Sequence, residues 1–192
     1  INGMTTDSWL NTPIFMKAWD LVVQDGRYLK HDWAVKVDPD AVFFPDRLRS
    51  HMGPHDGAQD ALYVANCDKV FSATDEFKDK LFGAIEVFSR KAIEEYARGS
   101  ELCQDELKWK GWGEDFYMQK CMELLGVDHV GDFTLVSDKR CNYAPCTDQN
   151  RVSFHDFKNT AEYFDCWDTS LGPSGVAAYE KKSKAGRVHM MN

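Results

Sequence analysis

The segment Trp33-Ala34-Val35-Lys36-Val37-Asp38-Pro39-Asp40-Ala41-Val42-Phe43-Phe44 indicates both a strand and a site at its end. Its first half alternates large apolar residues with small or charged ones, and this period of two predicts a β-strand. Pro39 has no N–H to donate and fixes its own φ, so strand pairing should stop there. The sequence therefore predicts a strand that runs into a stiff turn carrying two carboxylates, Asp38 and Asp40.

The position of these two carboxylates is that of a ligand site. In open α/β sheets, ligands bind at the carboxyl ends of the strands. Hard oxygen ligands on a rigid turn suit Mg²⁺ or Mn²⁺, and such an ion could hold a diphosphate. An Asp-x-Asp motif is short, however, and an ordinary acidic turn explains the motif equally well when it is taken alone.

Composition limits the classes of protein to consider. The 192 residues suffice for one domain with a sizeable core, and 43% apolar and 13% aromatic residues indicate a globular chain. The net charge of −8 argues against nucleic acid as a main partner, because phosphate binding needs a basic face. Neither a membrane span nor a signal peptide is visible. Because the chain starts at Ile1, we expect a fragment or processed product, with any membrane anchor in a segment outside it.

The six cysteines leave two interpretations open. None forms a Cys-x-x-Cys pair, which argues against a structural zinc site. An even number fits up to three disulfides in a secretory lumen, but reduced and buried cysteines fit it as well. Cys141 and Cys146 bracket a turn-rich segment, so a local disulfide between them is one candidate pairing.

Predicted helices and strands alternate along the chain, which makes the class α/β. We predict strands over 33–38, 62–65, 81–88 and 130–136, and helices over 12–26, 45–52, 89–99, 114–126 and 159–167. Thr12 is the expected cap of the first helix and Gly99 the expected stop of the third. The first helix carries Ile14, Ala18 and Val22 on one face, with Phe15, Trp19 and Val23 beside them. The expected buried face of the last helix consists of Tyr163, Phe164 and Trp167. The loop near His51, His55 and Asp56 is interpreted as solvated. The domain should span 1–168, and 169–192 should form a loosely ordered tail.

From Lys36 to Phe43 the sequence resembles the metal-binding strand of GT-A fold nucleotide-sugar glycosyltransferases, most closely the Fringe-like and β1,3-galactosyltransferase-like families. Segments matching later parts of these families follow in the same order: a glycine-led strand at Gly83, a Gly-Glu-Asp helix start at 113–115, and a late His155. The resemblance implies a partial GT-A domain with a mixed sheet flanked by helices. Too few residues precede the first helix for another βαβ unit, so we expect the donor-base subsite to be absent.

The resemblance also implies roles for individual residues. A divalent cation, Mn²⁺ or Mg²⁺, would be bound by Asp38, Asp40 and His155. Asp115, with Glu114 as second choice, would be the catalytic base of an inverting enzyme. Substrate would be bound by Lys36, Gly83, Trp112, Gly113 and Lys158.

Each of these roles has a simpler structural alternative. Acids at a helix start are favoured by the helix dipole, which explains Glu114 and Asp115 without catalysis. Gly83 could mark a bulge, and Trp112 could be a core residue. A lone histidine is more often structural than a ligand, and Asp156 stands where related sequences often have proline.

The expected activity is transfer of a sugar from a nucleotide diphosphate, with UDP the expected nucleotide, to an acceptor hydroxyl. The expected partners are the nucleotide-sugar donor and a glycan or glycoprotein acceptor, and the expected compartment is the Golgi lumen. One alternative is a non-catalytic carbohydrate-binding or scaffold protein with a decayed transferase fold. Another is a different metal-dependent, phosphate-handling enzyme such as a nucleotidyltransferase.

Overall fold

The computed structural model describes residues 11–69 and 79–189, with side chains up to residue 179. The helices are α1 (Thr12–Asp25), α2 (Pro45–Met52), α3 (Arg90–Glu106), α4 (Glu114–Leu124) and α5 (Thr160–His189), with a short 3₁₀ turn at Arg27–Lys30. The strands are β1 (Trp33–Val37), β2 (Val42–Phe43), β3 (Leu62–Ala65), β4 (Ile85–Ser89), β5 (Asp128–Gly131), β6 (Val136–Ser137) and β7 (Ser153–Phe154). The expected α/β class is confirmed. The first ten residues, and with them the expectation about a preceding βαβ unit, lie outside the described part of the chain.

The strands form two mixed sheets. The larger has the order β1-β4-β3-β5, in which β4 is antiparallel to both neighbours and β3 is parallel to β5. The smaller has the order β2-β7-β6, with β2 antiparallel and β6 parallel to the central β7. Because β2 follows β1 after one turn, the two sheets meet at the end of β1.

The alternation of side chains along the strands gives the larger sheet two apolar faces. Tyr63 and Phe88 are fully buried on one face, against α1, α3 and α4. Val64 and Val87 are fully buried on the other face, with residues of α2 and the smaller sheet. Burying a side chain of this size contributes roughly 1.5–3 kcal/mol, so these faces hold helices and sheets together.

Helix α1 begins and packs differently from the prediction. Thr12 is its first residue rather than a cap, and the Thr12 hydroxyl donates to the Trp112 carbonyl at 2.7 Å. The buried positions include Met16 and Trp19, of which Trp19 was among the apolar residues expected to lie together, whereas Ile14 of the same expected group is 65% exposed. The stop at Gly26, which has φ 72°, is confirmed.

Helix α3 runs past its predicted stop to Glu106. Gly99 lies inside this helix, where it packs against the Leu125 side chain. A Cβ built there would lie 2.2 Å from the Leu125 Cδ2 atom, so a larger residue at this position requires the Leu125 side chain, at the end of α4, to shift.

Two predicted strands also have different bounds. The strand predicted over 81–88 begins only at Ile85, after a turn that contains Gly83. The strand predicted over 130–136 is split into β5 and β6. The split is local in origin, because the Asp132 carboxylate accepts from the Thr134 amide at 3.0 Å and from its hydroxyl at 2.7 Å, which closes a turn.

All six cysteines are paired, as Cys67–Cys141, Cys103–Cys121 and Cys146–Cys166. The local Cys141–Cys146 pairing was therefore wrong. Three disulfides indicate an oxidising environment, either lumenal or secreted. Among the described residues, no helix combines the length and the apolar character needed to cross a membrane.

Helix α5 joins two helical segments across a break at Gly172, where φ is 67° and ψ is 171°. In the first segment Phe164 is 56% exposed and Cys166 is buried, so the predicted buried face was wrong at Phe164. The second segment extends helical backbone through the predicted tail as far as His189. The loose order of that tail stays a prediction, and its last three residues lie outside the description.

The disulfides should differ in their contribution to stability. Cys67–Cys141 spans 74 residues and Cys146–Cys166 spans 20. In the chain-entropy account, a longer loop constrains the unfolded chain more. We expect the free energy of unfolding to fall about 1 kcal/mol further in Cys67→Ala/Cys141→Ala than in Cys146→Ala/Cys166→Ala, measured by urea denaturation. Equal losses, or a larger loss for the shorter loop, would contradict this account.

Candidate metal and substrate site

The two aspartates lie on a β-turn that begins where β1 ends. The Asp38 amide donates to the Ala84 carbonyl at 3.1 Å, and the Ala41 amide donates back to the Asp38 carbonyl at 3.0 Å. Pro39 occupies the second position of this turn, where its fixed φ is favourable. The predicted stiff turn at the end of a strand is confirmed.

The smaller sheet brings a histidine to this turn. Strand β2 leaves the turn and pairs with β7, with Val42 opposite Phe154, so the residue after β7 returns to the aspartates. Ligand atoms of Asp38, Asp40 and His155 all lie within 4.8 Å of one another. The His155 Nε2 atom is 3.3 Å from Asp40 Oδ1. The predicted convergence of these three residues is found.

The other ring nitrogen of His155 is held by a residue that the sequence analysis missed. Asp138 Oδ2 lies 2.6 Å from His155 Nδ1, and the Asp138 side chain is 2% exposed. Burial opposes ionisation, but hydrogen bonds from His155 and Arg140 outweigh it and lower the pKa of Asp138 to about 2. No local motif distinguishes Asp138. It reaches the site because β6 pairs with β7, with Ser137 opposite Phe154.

The three converging side chains fit a divalent cation. Two carboxylates and one imidazole are a donor set suited to Mn²⁺, and to Mg²⁺ if water completes the shell. Lys158 donates to Asp40 Oδ2, and the Lys158 side chain is 73% exposed, so it can move away at little cost. Burial opposes ionisation of Asp40, but the bond from Lys158, together with the charge of His155 when its ring is protonated, keeps its pKa below the usual value.

Lys36 is surrounded by carboxylates and is only 13% exposed. Its ammonium lies 2.7 Å from Asp38 Oδ1 and 3.2 Å from both Glu86 Oε1 and Glu114 Oε1, and it donates to the Gly83 carbonyl at 2.6 Å. Burial lowers the pKa of Lys36, but the acids around the ammonium outweigh that effect and raise it, so the ammonium stays charged. In this state Lys36 joins the aspartate turn to the start of α4, and its donors are already engaged before any substrate arrives.

Glu86 is a second residue that the sequence analysis missed. It is the cross-strand partner of Lys36 and is fully buried. Neither carboxylate oxygen accepts a hydrogen bond, although Oε1 is close to the Lys36 ammonium. Burial raises the pKa of Glu86 to about 8, against the lowering effect of Lys36.

Glu114 and Asp115 lie in the first turn of α4, as predicted, but in different environments. Glu114 lines a cleft of about 730 Å³ together with the two aspartates of the turn. Asp115 accepts from the Phe116 amide at 2.7 Å and from the Gly83 amide at 3.0 Å. Burial, followed by the charge of Glu114, raises the pKa of Asp115. The more cleft-facing acid is therefore Glu114.

Of the two glycines predicted to bind substrate, Gly83 has a structural explanation, whereas the backbone of Gly113 does not require a glycine. A Cβ on Gly83 would lie 3.1 Å from Glu114 Oε1 and 3.2 Å from Asp115 Oδ2, so the missing side chain lets this turn pack against the two acids. Gly113 is the N-cap of α4 with φ −69° and ψ 158°, which is extended backbone open to any residue.

The aromatic side chains at the cleft are not those predicted. Trp112 packs edge-to-face on Phe116 with ring centroids 4.7 Å apart and lies against the helix-side core, which favours its structural alternative. The aromatic residues that line the cleft are Phe15, Phe157 and Tyr163. They come from α1, the loop after His155 and α5, so only the tertiary fold assembles them.

The histidine of α2 also differs from the prediction of a solvated loop. His51 Nδ1 lies 2.6 Å from Asp132 Oδ2, and both side chains are less than one-fifth exposed, at 19% and 18%. This second His–Asp pair joins α2 to the turn after β5, away from the aspartate turn.

A scan against models of protein families and a search of curated proteins each find no match. The site itself is therefore the guide to function.

The burial of Glu86 should give stability a specific pH dependence. With a folded pKa of about 8 against an ordinary value of 4.5, Glu86 holds its proton only in the folded state across that interval. Its favourable contribution is thus complete below about 4.5 and is lost as pH rises towards 8. We expect the difference in free energy of unfolding between Glu86→Gln and wild type to shift in favour of the variant as the pH rises through this window. The shift should be up to about 1.4 kcal/mol per pH unit. Chemical denaturation at several pH values measures this difference, and parallel pH profiles would contradict it.

Proposed function

We propose that this chain belongs to a metal-dependent glycosyltransferase that moves a sugar from a nucleotide diphosphate, with UDP as the nucleotide, to an acceptor hydroxyl. The observation that carries the proposal is the convergence of Asp38, Asp40 and His155 within 4.8 Å, beside a cleft that Glu114 also lines. The resemblance of the aspartate strand to GT-A enzymes supports it.

Asp38, Asp40 and His155 would hold Mn²⁺ or Mg²⁺, which as a Lewis acid would neutralise charge on the leaving diphosphate. Lys158 donates to Asp40 from an exposed position in the same cleft. When a cation binds Asp40, the Lys158 ammonium becomes available to diphosphate oxygens. Charge-assisted contacts of this kind are among the stronger hydrogen bonds. Lys158 would thus change partner from carboxylate to phosphate.

A base for the acceptor hydroxyl is available at the start of α4. Glu114 lines the cleft, and its Oε1 atom lies 3.2 Å from the Lys36 ammonium, which orients the carboxylate. Asp115 already accepts two backbone amides, although each of its oxygens keeps a second lone pair. We therefore assign the base to Glu114 with Asp115 as second candidate, the reverse of the order implied by the resemblance. Inversion at the anomeric carbon is expected from the resemblance alone.

The proposed acceptor is a glycan or glycoprotein of the secretory pathway. The three disulfides fit a lumenal compartment, and the Golgi is the compartment in which a UDP-sugar transferase of this kind would work. The aromatic side chains of Phe15, Phe157 and Tyr163 give the cleft the apolar surface that sugar rings need.

Removal of one aspartate should abolish metal-dependent nucleotide binding. We expect UDP to bind in the presence of Mn²⁺ and not in its absence, because the diphosphate contacts the protein mainly through the ion. Asp40→Ala should weaken Mn²⁺ binding by more than tenfold, since even the loss of a group that only orients a ligand costs 10–100-fold. Isothermal titration calorimetry with Mn²⁺ and UDP measures both effects.

Asp46→Ala is the matched control for this titration, because Asp46 is an acid on α2 that is 90% exposed and lies outside the cluster. It should bind as wild type does. UDP binding that does not depend on Mn²⁺, or that survives in Asp40→Ala, would count against the proposed function.

The assignment of the base predicts different effects for two isosteric variants, one at each acid. Glutamine and asparagine keep the shape of the acids but cannot accept the proton. We expect Glu114→Gln to slow sugar transfer by roughly 10²–10⁴-fold with Mn²⁺–UDP binding intact. Asp115→Asn should lower the free energy of unfolding by about 1 kcal/mol and leave most of the activity. The measurement is UDP release from a panel of UDP-sugars with simple glycoside acceptors. Normal turnover in Glu114→Gln with loss in Asp115→Asn would move the base to Asp115.

A further inference from the structure

The contact between His155 and Asp138 is among the most shielded polar contacts of the cleft region. The side chains are 6% and 2% exposed, and the Nδ1–Oδ2 distance is 2.6 Å. His155 comes directly after β7 and Asp138 directly after β6, and these two strands are paired. The His155 amide donates to the Ser137 carbonyl at 2.9 Å. Backbone pairing therefore fixes the position of both side chains.

The Asp138 carboxylate is itself held in place. Its Oδ1 atom accepts from the Arg140 amide at 2.6 Å and from Arg140 Nε at 3.2 Å. The backbone of Asp138 exchanges two hydrogen bonds of 2.9 Å with Cys141, which is joined to Cys67 by a disulfide. This carboxylate cannot turn away from His155 without losing the hydrogen bonds from the Arg140 amide and Nε.

The contact determines which nitrogen of the imidazole is protonated. The Oδ1 atom of Asp138 accepts from two Arg140 donors and its Oδ2 atom lies 2.6 Å from His155 Nδ1, so the geometry is that of a carboxylate accepting on both oxygens, and Nδ1 carries the proton of the second contact. In the neutral ring, Nε2 then presents a bare lone pair. Because Nε2 lies 3.3 Å from Asp40 Oδ1, that lone pair is directed into the cluster of carboxylates.

We propose that Asp138 is a positioning residue of the metal site, which fixes His155 as the Nδ1–H tautomer and thereby keeps Nε2 free to bind a divalent cation beside Asp40. This inference rests on the proposed function for the identity of the ion. It concerns the state of His155 before any ion arrives, so it can be tested without the transferase reaction.

Asp138→Asn is the informative variant. An asparagine side chain has one acceptor oxygen, whereas Asp138 faces donors on both of its oxygens. The Arg140 amide and Nε can act only as donors, whereas the imidazole can carry its proton on either nitrogen. The asparagine oxygen should therefore remain on Arg140 and its N–H₂ should face His155, which forces the proton onto Nε2. A protonated Nε2 cannot bind a metal ion.

The tautomer is read by long-range ¹H–¹⁵N NMR of the metal-free protein at a pH where imidazoles are neutral. Wild type should show His155 as the Nδ1–H form and Asp138→Asn as the Nε2–H form. Mn²⁺ affinity, followed by EPR of the free ion, should fall 10–100-fold in the variant. A purely structural role for Asp138 would lower stability without changing the tautomer.

Asp132→Asn is the matched control. The His51–Asp132 pair has the same 2.6 Å contact but supplies no ligand to the cluster, so this variant should keep both the His155 tautomer and the Mn²⁺ affinity of wild type. Unchanged Mn²⁺ affinity in Asp138→Asn would overturn the proposal.

An Nε2–H form in wild type would overturn it as well, and this measurement decides the matter even if Asp138→Asn does not fold. Wild type that has the Nδ1–H form but binds no Mn²⁺ would instead support the positioning of His155 and refute the proposed metal-dependent function.

Discussion

The ammonium group of Lys36 is the interaction on which the site depends. It lies among Asp38, Glu86 and Glu114, which come from the aspartate turn, the adjacent strand and the start of α4. Without a cation at this point, these acids would repel one another in a partly dehydrated environment. Loss of the ammonium would leave the buried acids without a cation, and breaking a buried ion pair in this way commonly costs about 3–5 kcal/mol. The same ammonium that stabilises the fold here also sets the relative positions of a candidate metal ligand and a candidate base.

The second constraint is the small sheet. Its strands are only two residues long, but β7 is buried and pairs on both sides, and it thereby places His155 between Asp40 from one neighbour and Asp138 from the other. The Cys67–Cys141 disulfide connects this sheet region to the core beside β3. An oxidising compartment is thus linked to the site geometry, because the turn that holds Asp138 includes Cys141.

The sequence predicted those features that depend on neighbouring residues. The strand before Asp38, the turn at Pro39 and the start of α4 all follow from local patterns, and the resemblance supplied His155. Glu86 and Asp138 could not be found in this way, because their importance arises from pairing between strands distant in sequence. Gly99 shows the same limit: its role is decided by Leu125 across a helix interface, so a local stop signal was misleading.

The central claim is that Asp38, Asp40 and His155 bind one divalent cation together, and pulsed EPR of Mn²⁺ added to the protein tests it most directly. Hyperfine coupling to a ligand nitrogen reports whether an imidazole is bound to the ion. The account predicts coupling to one histidine nitrogen, lost in His155→Ala and kept in His51→Ala. Bound Mn²⁺ without nitrogen coupling, or with coupling that survives in His155→Ala, would contradict it.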